Sequence, residues 1–450
     1  MATRSDGANF CFLRVNQKLI ICFVVMSTLA APFRRQFCYS YVYRYCQRRH
    51  ESMARLKHNG QRARFPCRMS STSGTVNSSP TATSLMKNEA REQLQILQNH
   101  YSTILRTQQQ SSSFSFPEFW TDDTDGDAQV VANYIEQNID NILFDCDGVL
   151  YRTLDECPGA SHCISKLLEM GKTVLFVTNN AGVNRRELRI KLNKLLFNIE
   201  EERGNENNSF LLVDDQMVSS SYSSAQYLQK HLQHGSRVHV IGSSGLMEEI
   251  TSHGFTCSGG PSSSSSSSMT RQELAEYEFP EHPIDAMVVG HDTSFDFRKL
   301  SIANNLLLQS PDALFVATNE DSFDLVGDNG DRHIPGNGCI VKALEHCSRR
   351  KAINVGKPSR YLAQLIFDGC DKDESESKEI PVTTMDPSRS LFVGDRLDTD
   401  IRFGNENGMK SLLVLTGVTT AKTMMDIGSG TEEEPLPHFI APYVGLLVKD

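Results

Sequence analysis

The chain has 450 residues, 39% of them apolar and 22% charged, which is more than one ordinary domain needs and enough to bury sizeable cores. Its net charge of −10 is uneven: residues 1–80 carry 13 Lys and Arg against 2 acids, and the remainder 32 against 53. An acidic body argues against nucleic-acid binding as the main activity, and twelve cysteines without a Cys-x-x-Cys pair indicate neither a disulfide scaffold nor a zinc site.

Leu19–Ala31 is an apolar run preceded by Arg14 and Lys18. It has the layout of a secretory signal's hydrophobic region and is short for a membrane span. Behind it Arg34, Arg35, Arg44, Arg48 and Arg49 open a basic stretch that runs to the hydroxyl-rich Ser70–Ser84, which is transit-peptide composition. The expectation is a targeting presequence over residues 1–84. A signal anchor, or a start at Met53 or Met69, is the plain alternative. Residues 85–138 open with a helix over Glu89–Leu105, become Gln/Ser- and Asp-rich, and read as a mobile lead-in. From Ile139 strand and helix alternate, with helices over Ser161–Met170, Arg185–Leu196 and Ser219–His231. A second alternating unit begins near Ser236, with strands Val238–Ile241, Ala286–Val289 and Leu314–Ala317 and helices Leu246–His253 and Phe297–Gln309. The serine run Ser262–Ser268 interrupts it and can bury nothing. At Ala352 the first unit is expected to resume, carrying an acid- and Ser-rich insertion over Asp371–Ser388. The fold class predicted is α/β: a Rossmann-like, doubly wound parallel core over residues 139–233 and 351–450, with an inserted α/β cap domain over 234–350.

Four apolar runs end abruptly in functional groups. Ile142–Phe144 runs into Asp145-Cys146-Asp147-Gly148, and Val174–Val177 into Thr178-Asn179-Asn180. Ile353–Val355 runs into Gly356-Lys357-Pro358, and Leu391–Val393 into Gly394-Asp395-Arg396-Leu397-Asp398-Thr399-Asp400. As buried parallel strands they bring carboxylates, a hydroxyl and a lysine to one sheet edge, an inventory suited to phosphoryl transfer with a metal ion. Asp145 and Asp147 repel unless a cation sits between them, which suggests Mg²⁺, and a carboxylate is a competent nucleophile toward phosphorus. A calcium-type loop or a sugar-transferase Asp-x-Asp is the competing reading of that pair. Thr178 and its asparagines either donate to a phosphate or cap the next helix. Lys357 either holds a phosphoryl oxygen or is a surface lysine in a turn. Asp395 is the metal-ligand candidate, and Asp398 and Asp400 are solvated, supporting, or paired with Arg396. His291 reads as structural, Cys146 between two acids as an inert thiol, and Gly242-Ser243-Ser244-Gly245 as a weak phosphate-cradle candidate.

In this order, the motifs make the chain resemble the haloacid dehalogenase-type phosphatases, within them the phosphoglycolate and pyridoxal-phosphate (4-nitrophenyl phosphate) phosphatases with a large α/β cap. The similarity spans about Ile139 to Thr420 and includes Gly290-His291-Asp292, Phe297–Leu300, Ala317-Thr318-Asn319, Pro335–Gly338, Gly356–Arg360, Gly394–Ile401 and Leu415–Val418. The resemblance implies that Asp145 attacks phosphorus while Asp147 protonates the leaving alkoxide and later deprotonates water. It implies Mg²⁺ on Asp145, the Asp147 backbone carbonyl and Asp395, and phosphoryl contacts from Thr178, Asn179, Asn180 and Lys357. An acid at Asp147, where the ion-pumping ATPases carry Thr, favours a phosphatase. Three residues after His291, where the family often has His or Tyr against the substrate, stands Ser294.

The implied partner is a small phosphorylated metabolite, in a mature protein outside the membrane, with a homodimer through the cap as relatives often form. Residues 1–84 resemble the bipartite plastid presequence of algae with secondary plastids, although Ala31-Pro32-Phe33 replaces the usual Ala-Phe. The expected address is thus the plastid stroma, with cytoplasm or mitochondrion as alternatives. A plastid address favours 2-phosphoglycolate; pyridoxal phosphate or broad metabolite hydrolysis is the alternative. A non-catalytic phosphate-binding module is the alternative of another class, opposed by intact Asp145, Asp147, Lys357 and Asp395.

Overall fold

Short runs that are buried along their whole length mark strands covered on both faces. In chain order the strands are β1 (Glu118–Phe119), β2 (Asn141–Phe144), β3 (Tyr151–Arg152), β4 (Asp155–Glu156), β5 (Thr173–Thr178), β6 (Met217–Ser219), β7 (Arg237–Ile241) and β8 (Thr256–Gly259). They continue with β9 (Ala286–Val289), β10 (Leu314–Ala317), β11 (Phe323–Val326), β12 (Arg332–Pro335), β13 (Ile353–Asn354), β14 (Ser390–Gly394), β15 (Lys410–Val414) and β16 (Phe439–Ala441). The computed structural model describes residues 81–107, 117–121, 125–199, 212–261, 270–326, 332–368, 385–427 and 435–449. The expected presequence up to residue 80, the serine run 262–268 and most of the 371–388 insertion lie outside these described residues.

Seven strands form a parallel core sheet in the order β1-β16-β15-β14-β2-β5-β6. The chain runs outward from β2 to β5 and β6, then returns to β14 and runs outward the other way. The order therefore reverses between β2 and β14. In open α/β sheets such a switch point leaves a crevice at the carboxyl ends of the strands, where ligands bind. Phe144 of β2 is level with Val393 of β14 and with Phe176 of β5, so Asp145, Asp395 and Thr178 all emerge at this crevice.

The inserted unit forms a second parallel sheet, β13-β10-β9-β7-β8, with its own apolar clusters on each face, plus the antiparallel hairpin β11–β12. One strand is in a different sheet from the expected one. Ile353–Asn354 pairs with β10, and the Val355 amide continues that ladder onto the Ala317 carbonyl at 3.0 Å. Lys357 is therefore delivered from the cap sheet across to the core. A two-residue strand carries no pattern that assigns it to a sheet.

The helix expected over Glu89–Leu105 is present, and the described residues of the 85–138 segment are docked on the core where a mobile lead-in was expected. A helix over Ala82–Thr107 buries Ala90, Leu94, Leu97 and Tyr101 against Leu397, Ile401, Leu413, Leu415 and Ile440 of the core. Strand β1 then extends the core sheet beside β16, Trp120 stacks on Phe439 at 4.3 Å, and a helix over Asp125–Asn138 buries Val131 and Ile135. The polar composition hid an apolar stripe at helical spacing, which is what docks a helix. Among the described residues, no helix is long and apolar enough to cross a membrane.

Candidate active site

The loop after β2 turns tightly. The Gly148 amide donates to the Tyr151 carbonyl at 2.8 Å, and the Leu150 amide to the Cys146 carbonyl at 2.9 Å. Gly148 sits at φ +82°, and a Cβ there would collide with the Asp395 carboxylate; a Cβ on Gly417 would do the same. Two glycines thus let two loops close around one acid.

Asp145, Asp395 and Asp400 are all buried, with a carboxylate oxygen of each within 4.8 Å of the others. Lys357 Nζ lies 2.6 Å from Asp145 Oδ1 and 2.8 Å from Asp400 Oδ1. Burial pushes the Asp145 pKa up to about 7 against the pull of Lys357, with Asp400 adding to the rise. Asp395 is pushed well above the carboxylate range by burial, then by Asp400 and Asp145. Burial works to discharge Lys357, but the Asp145 and Asp400 carboxylates outweigh it and raise its pKa. Three buried acids against one lysine leave a deficit of positive charge.

The oxygens of the cluster have unequal partners. Asp395 Oδ2 accepts the Val418 amide at 2.6 Å, whereas Asp395 Oδ1 is buried without a hydrogen-bond partner. Asp400 Oδ2 accepts the Asp395 and Arg396 amides, both at 3.1 Å, and its Oδ1 faces Lys357. Asp400 is thus fully engaged, while Asp395 presents one orphaned oxygen. An oxygen-rich, charge-deficient cluster with an orphaned carboxylate oxygen fits a hard divalent cation. Asp400, expected only in support, is part of the cluster because a single π-helical turn over Leu397–Ile401 swings it back under Asp395. Asp398 points away, half exposed, and pairs with Arg396 at 3.2 Å.

Asp147 keeps its side chain out of this cluster. Its carboxylate opens into the cavity, and Oδ2 accepts the Tyr151 hydroxyl at 3.0 Å. The surrounding walls still remove enough water for burial to raise its pKa, opposed by Lys191 and Tyr151. Thr178 is buried at the end of β5 and lines the cavity; its hydroxyl accepts the Asn180 amide at 3.1 Å. It does not cap the following helix, whose cap is Asn184. Asn179 lines the cavity but is committed elsewhere. Its Oδ1 accepts the Lys357 amide at 2.8 Å, and its Nδ2 donates to the Lys357 carbonyl at 3.2 Å and to Asp321 at 2.9 Å. It locks the lysine's backbone to the core. Cys146 is buried, and burial together with Asp145 and Asp147 holds its thiol well above the usual range.

The cavity encloses about 400 Å³ between the two sheets. Besides the core residues it is walled by Arg152 and Thr153 of the β3–β4 hairpin, His291, and Asp324, Leu325 and Ile334 of the β11–β12 hairpin. Arg396 bridges the two units, donating to the Phe323 carbonyl at 2.9 Å with its guanidinium 5.0 Å from the Phe323 ring centroid.

Residues 142–256 match the family described as haloacid dehalogenase-like hydrolase, and residues 354–445 the HAD-hydrolase-like family. A glycerol-3-phosphate phosphatase of Gallus gallus is 37% identical over 291 residues, 64% of this chain and 83% of the relative. Phosphoglycolate phosphatase 2 of Arabidopsis thaliana is 33% identical over 312 residues, 69% of this chain and 94% of the relative. The chain belongs to the haloacid dehalogenase-like hydrolases. A glycerol phosphate phosphatase of Mycobacterium tuberculosis, solved with magnesium, is 27% identical with a TM-score of 0.50, covering 70% of this chain and 78% of that one. This haloacid dehalogenase-like hydrolase is a phosphoric monoester hydrolase acting on small phosphate substrates, with the α/β core and cap expected of its family.

Two sequence candidates in the cap lie away from the cavity or are otherwise engaged. Ser294 does not line the cavity. Its hydroxyl and amide both donate to Asp292 Oδ1, at 2.7 and 2.8 Å, and Lys299 Nζ closes the knot with 2.5 Å to Asp292 and 2.8 Å to Ser294. A short hydroxyl is held by its own loop where a longer side chain would reach out. In Gly242–Gly245, the weak phosphate-cradle candidate, Ser243 caps its helix and donates to the Ala181 carbonyl at 3.1 Å. Sequence reasoning missed the β11–β12 hairpin, Arg152 and Asp321. Alternation in Phe323–Val326 is the one signal that could have found the hairpin.

Proposed function

We propose that the enzyme is a Mg²⁺-dependent phosphomonoesterase working through an aspartyl phosphate, with 2-phosphoglycolate as its substrate. The observation that carries this reading is Lys357 Nζ held between Asp145 and Asp400 beside the orphaned Asp395 oxygen. Mg²⁺ would be held by Asp145, Asp395 and the Asp147 backbone carbonyl, with Asp400 orienting, and when bound it supplies positive charge for the phosphoryl oxygens.

The carboxylate of Asp145 attacks phosphorus in line, and the ester P–O bond breaks as Asp147 gives its proton to the departing alkoxide. Asp147, now ionised, takes a proton from water as that water attacks the phosphorus of the aspartyl phosphate. The bond to Asp145 then breaks, and phosphate leaves. Lys357, Thr178 and the amides around Asn180 offset the charge on the phosphoryl oxygens. Residues 234–350 with β13 act as the cap that shuts bulk water out.

Arg152, on the cavity wall and 3.7 Å from Glu89, supplies a cation for a glycolate carboxylate. Glycerol 3-phosphate is the second reading, favoured by Asp321 and Asp324 on the same wall, which accept from hydroxyls. The basic, hydroxyl-rich residues 1–84 would serve as a plastid address. Comparing kcat/KM for 2-phosphoglycolate, glycerol 3-phosphate, pyridoxal phosphate and 4-nitrophenyl phosphate, with and without Mg²⁺, tests the reading. The account expects strict Mg²⁺ dependence and a preference for 2-phosphoglycolate. Preference for glycerol 3-phosphate would overturn the substrate, and metal-independent turnover the mechanism.

A further inference from the structure

Asp147 presents a positioning problem. Its side chain opens into the cavity at the end of a strand, where a free carboxylate samples several rotamers. Proton transfer to a leaving oxygen needs that carboxylate within hydrogen-bond reach in the right orientation, and a displacement of about 1 Å can cost on the order of 10²-fold in rate. The carboxylate cluster of Asp145, Asp395 and Asp400 does not hold it; its side-chain hydrogen bonds come from Tyr151 and Asn180.

The turn supplies its own anchor. Tyr151 is among the largest fully buried side chains, packed in the core cluster that includes Phe144, Phe176 and Leu188. Its backbone is tied at both ends of the turn: its carbonyl accepts the Gly148 amide at 2.8 Å, and its own amide donates to Cys146 at 3.3 Å. Buried aromatic hydroxyls need a partner, and this one donates to Asp147 Oδ2 at 3.0 Å. Lys191 Nζ, carried by the helix Arg185–Phe197, lies 3.9 Å from the Tyr151 ring centroid, and its charge also acts on Asp147. A cation over the ring draws electron density from it and strengthens the O–H as a donor. The hydroxyl is therefore a rigid donor, fixed by the core and aimed at one oxygen of a carboxylate whose other side-chain hydrogen bond comes from Asn180, on the loop after β5.

We infer that Tyr151, backed by Lys191, is a positioning residue that holds Asp147 in place for proton transfer to the leaving group. The inference rests on the reading of Asp147 as the acid. Tyr151 neither lines the cavity nor belongs to the carboxylate cluster, so its removal should act through the proton alone.

Leaving-group dependence measures that. The full chain with Mg²⁺ is assayed on a series of phosphate monoesters from 4-nitrophenyl, whose phenolate leaves unaided, to alkyl esters that need a proton. The wild type is expected to show a shallow slope of log kcat/KM against leaving-group pKa. Tyr151→Phe removes one oxygen and keeps the ring in the core. It is expected to lose about ten- to hundredfold on alkyl esters, within the range general acids contribute, and at least tenfold less on 4-nitrophenyl phosphate. Asp147→Asn is the reference and should steepen the slope further. An equal loss on all esters, or no loss, with Tyr151→Phe while Asp147→Asn steepens the slope would overturn the inference alone. A slope left unchanged by Asp147→Asn would overturn the reading of Asp147 beneath it as well.

Discussion

At the scale of single residues, the site is a set of charges held where water would not leave them. Lys357 offsets part of the charge on Asp145 and Asp400, and the rest is left for a cation. Asp321 shows what such crowding costs the fold. Burial raises its pKa to about 6 against Arg396 and Asn179, so the folded protein binds its proton more tightly than the unfolded chain does. An acid with a raised folded pKa favours the fold while it is protonated in both states. That advantage is lost as pH climbs from about 4 to about 6 and stays lost above. A rise of about two units corresponds to roughly 2–3 kcal/mol. Asp321→Asn keeps an acceptor for Asn179 and removes the titration. Urea unfolding at pH 4.5 and 7.5 should show the variant gaining on wild type at the higher pH; equal differences at both would contradict the electrostatic account.

At the scale of elements, three core strand ends, one strand from the cap sheet and one turn assemble the centre. The runs ending in Asp145, Thr178 and Asp395 were legible, because strands buried on both faces are uninterrupted apolar runs whose first polar residues fall at their carboxyl ends. Asp400 was not legible, since neither a helical nor a strand period describes the π turn over Leu397–Ile401 that brings it home. Nor was the scaffold of small polar residues in the helix Ser220–His231. There Ser220 donates to the Asn179 carbonyl at 2.7 Å and Ser223 to the Val355 carbonyl at 2.6 Å, tying core loop and lysine loop together. The Leu415–Val418 segment shows how tight the assembly is, with Gly417 against the Asp395 carboxylate. Gly417→Ala should force Asp395 aside and weaken the apparent Mg²⁺ affinity by about tenfold or more, as loss of ligand support does in metal sites. Isothermal titration with Mg²⁺ reads this directly, and an unchanged affinity would mean Asp395 is not a ligand.

At the scale of the whole molecule, the two sheets meet over one cavity and share its chemistry. The core supplies three carboxylates, and the cap sheet supplies the lysine through β13. Arg396 on Phe323, Asn179 on Asp321 and Asn319 on the Asn179 carbonyl fasten them beside the reacting centre. The α/β class, the interruption of one unit by another and most helices and strands could be read from periodicity. The docking of the helix Ala82–Thr107, itself expected over Glu89–Leu105, and the commitment of Ser294 to Asp292 could not, because both depend on partners distant in sequence or on local hydrogen bonds that composition does not encode.

The central claim is that Asp145 carries the phosphoryl group. Acid quench of the Mg²⁺-loaded enzyme during turnover of 4-nitrophenyl phosphate, followed by peptide mass spectrometry, tests it most directly. The account predicts a phosphorylated peptide containing Asp145 in the wild type. It predicts none in Asp145→Asn, with turnover lowered by about 10³-fold or more, as for loss of other covalent nucleophiles. Turnover of Asp145→Asn within tenfold of wild type, or phosphate trapped on another residue, would contradict it.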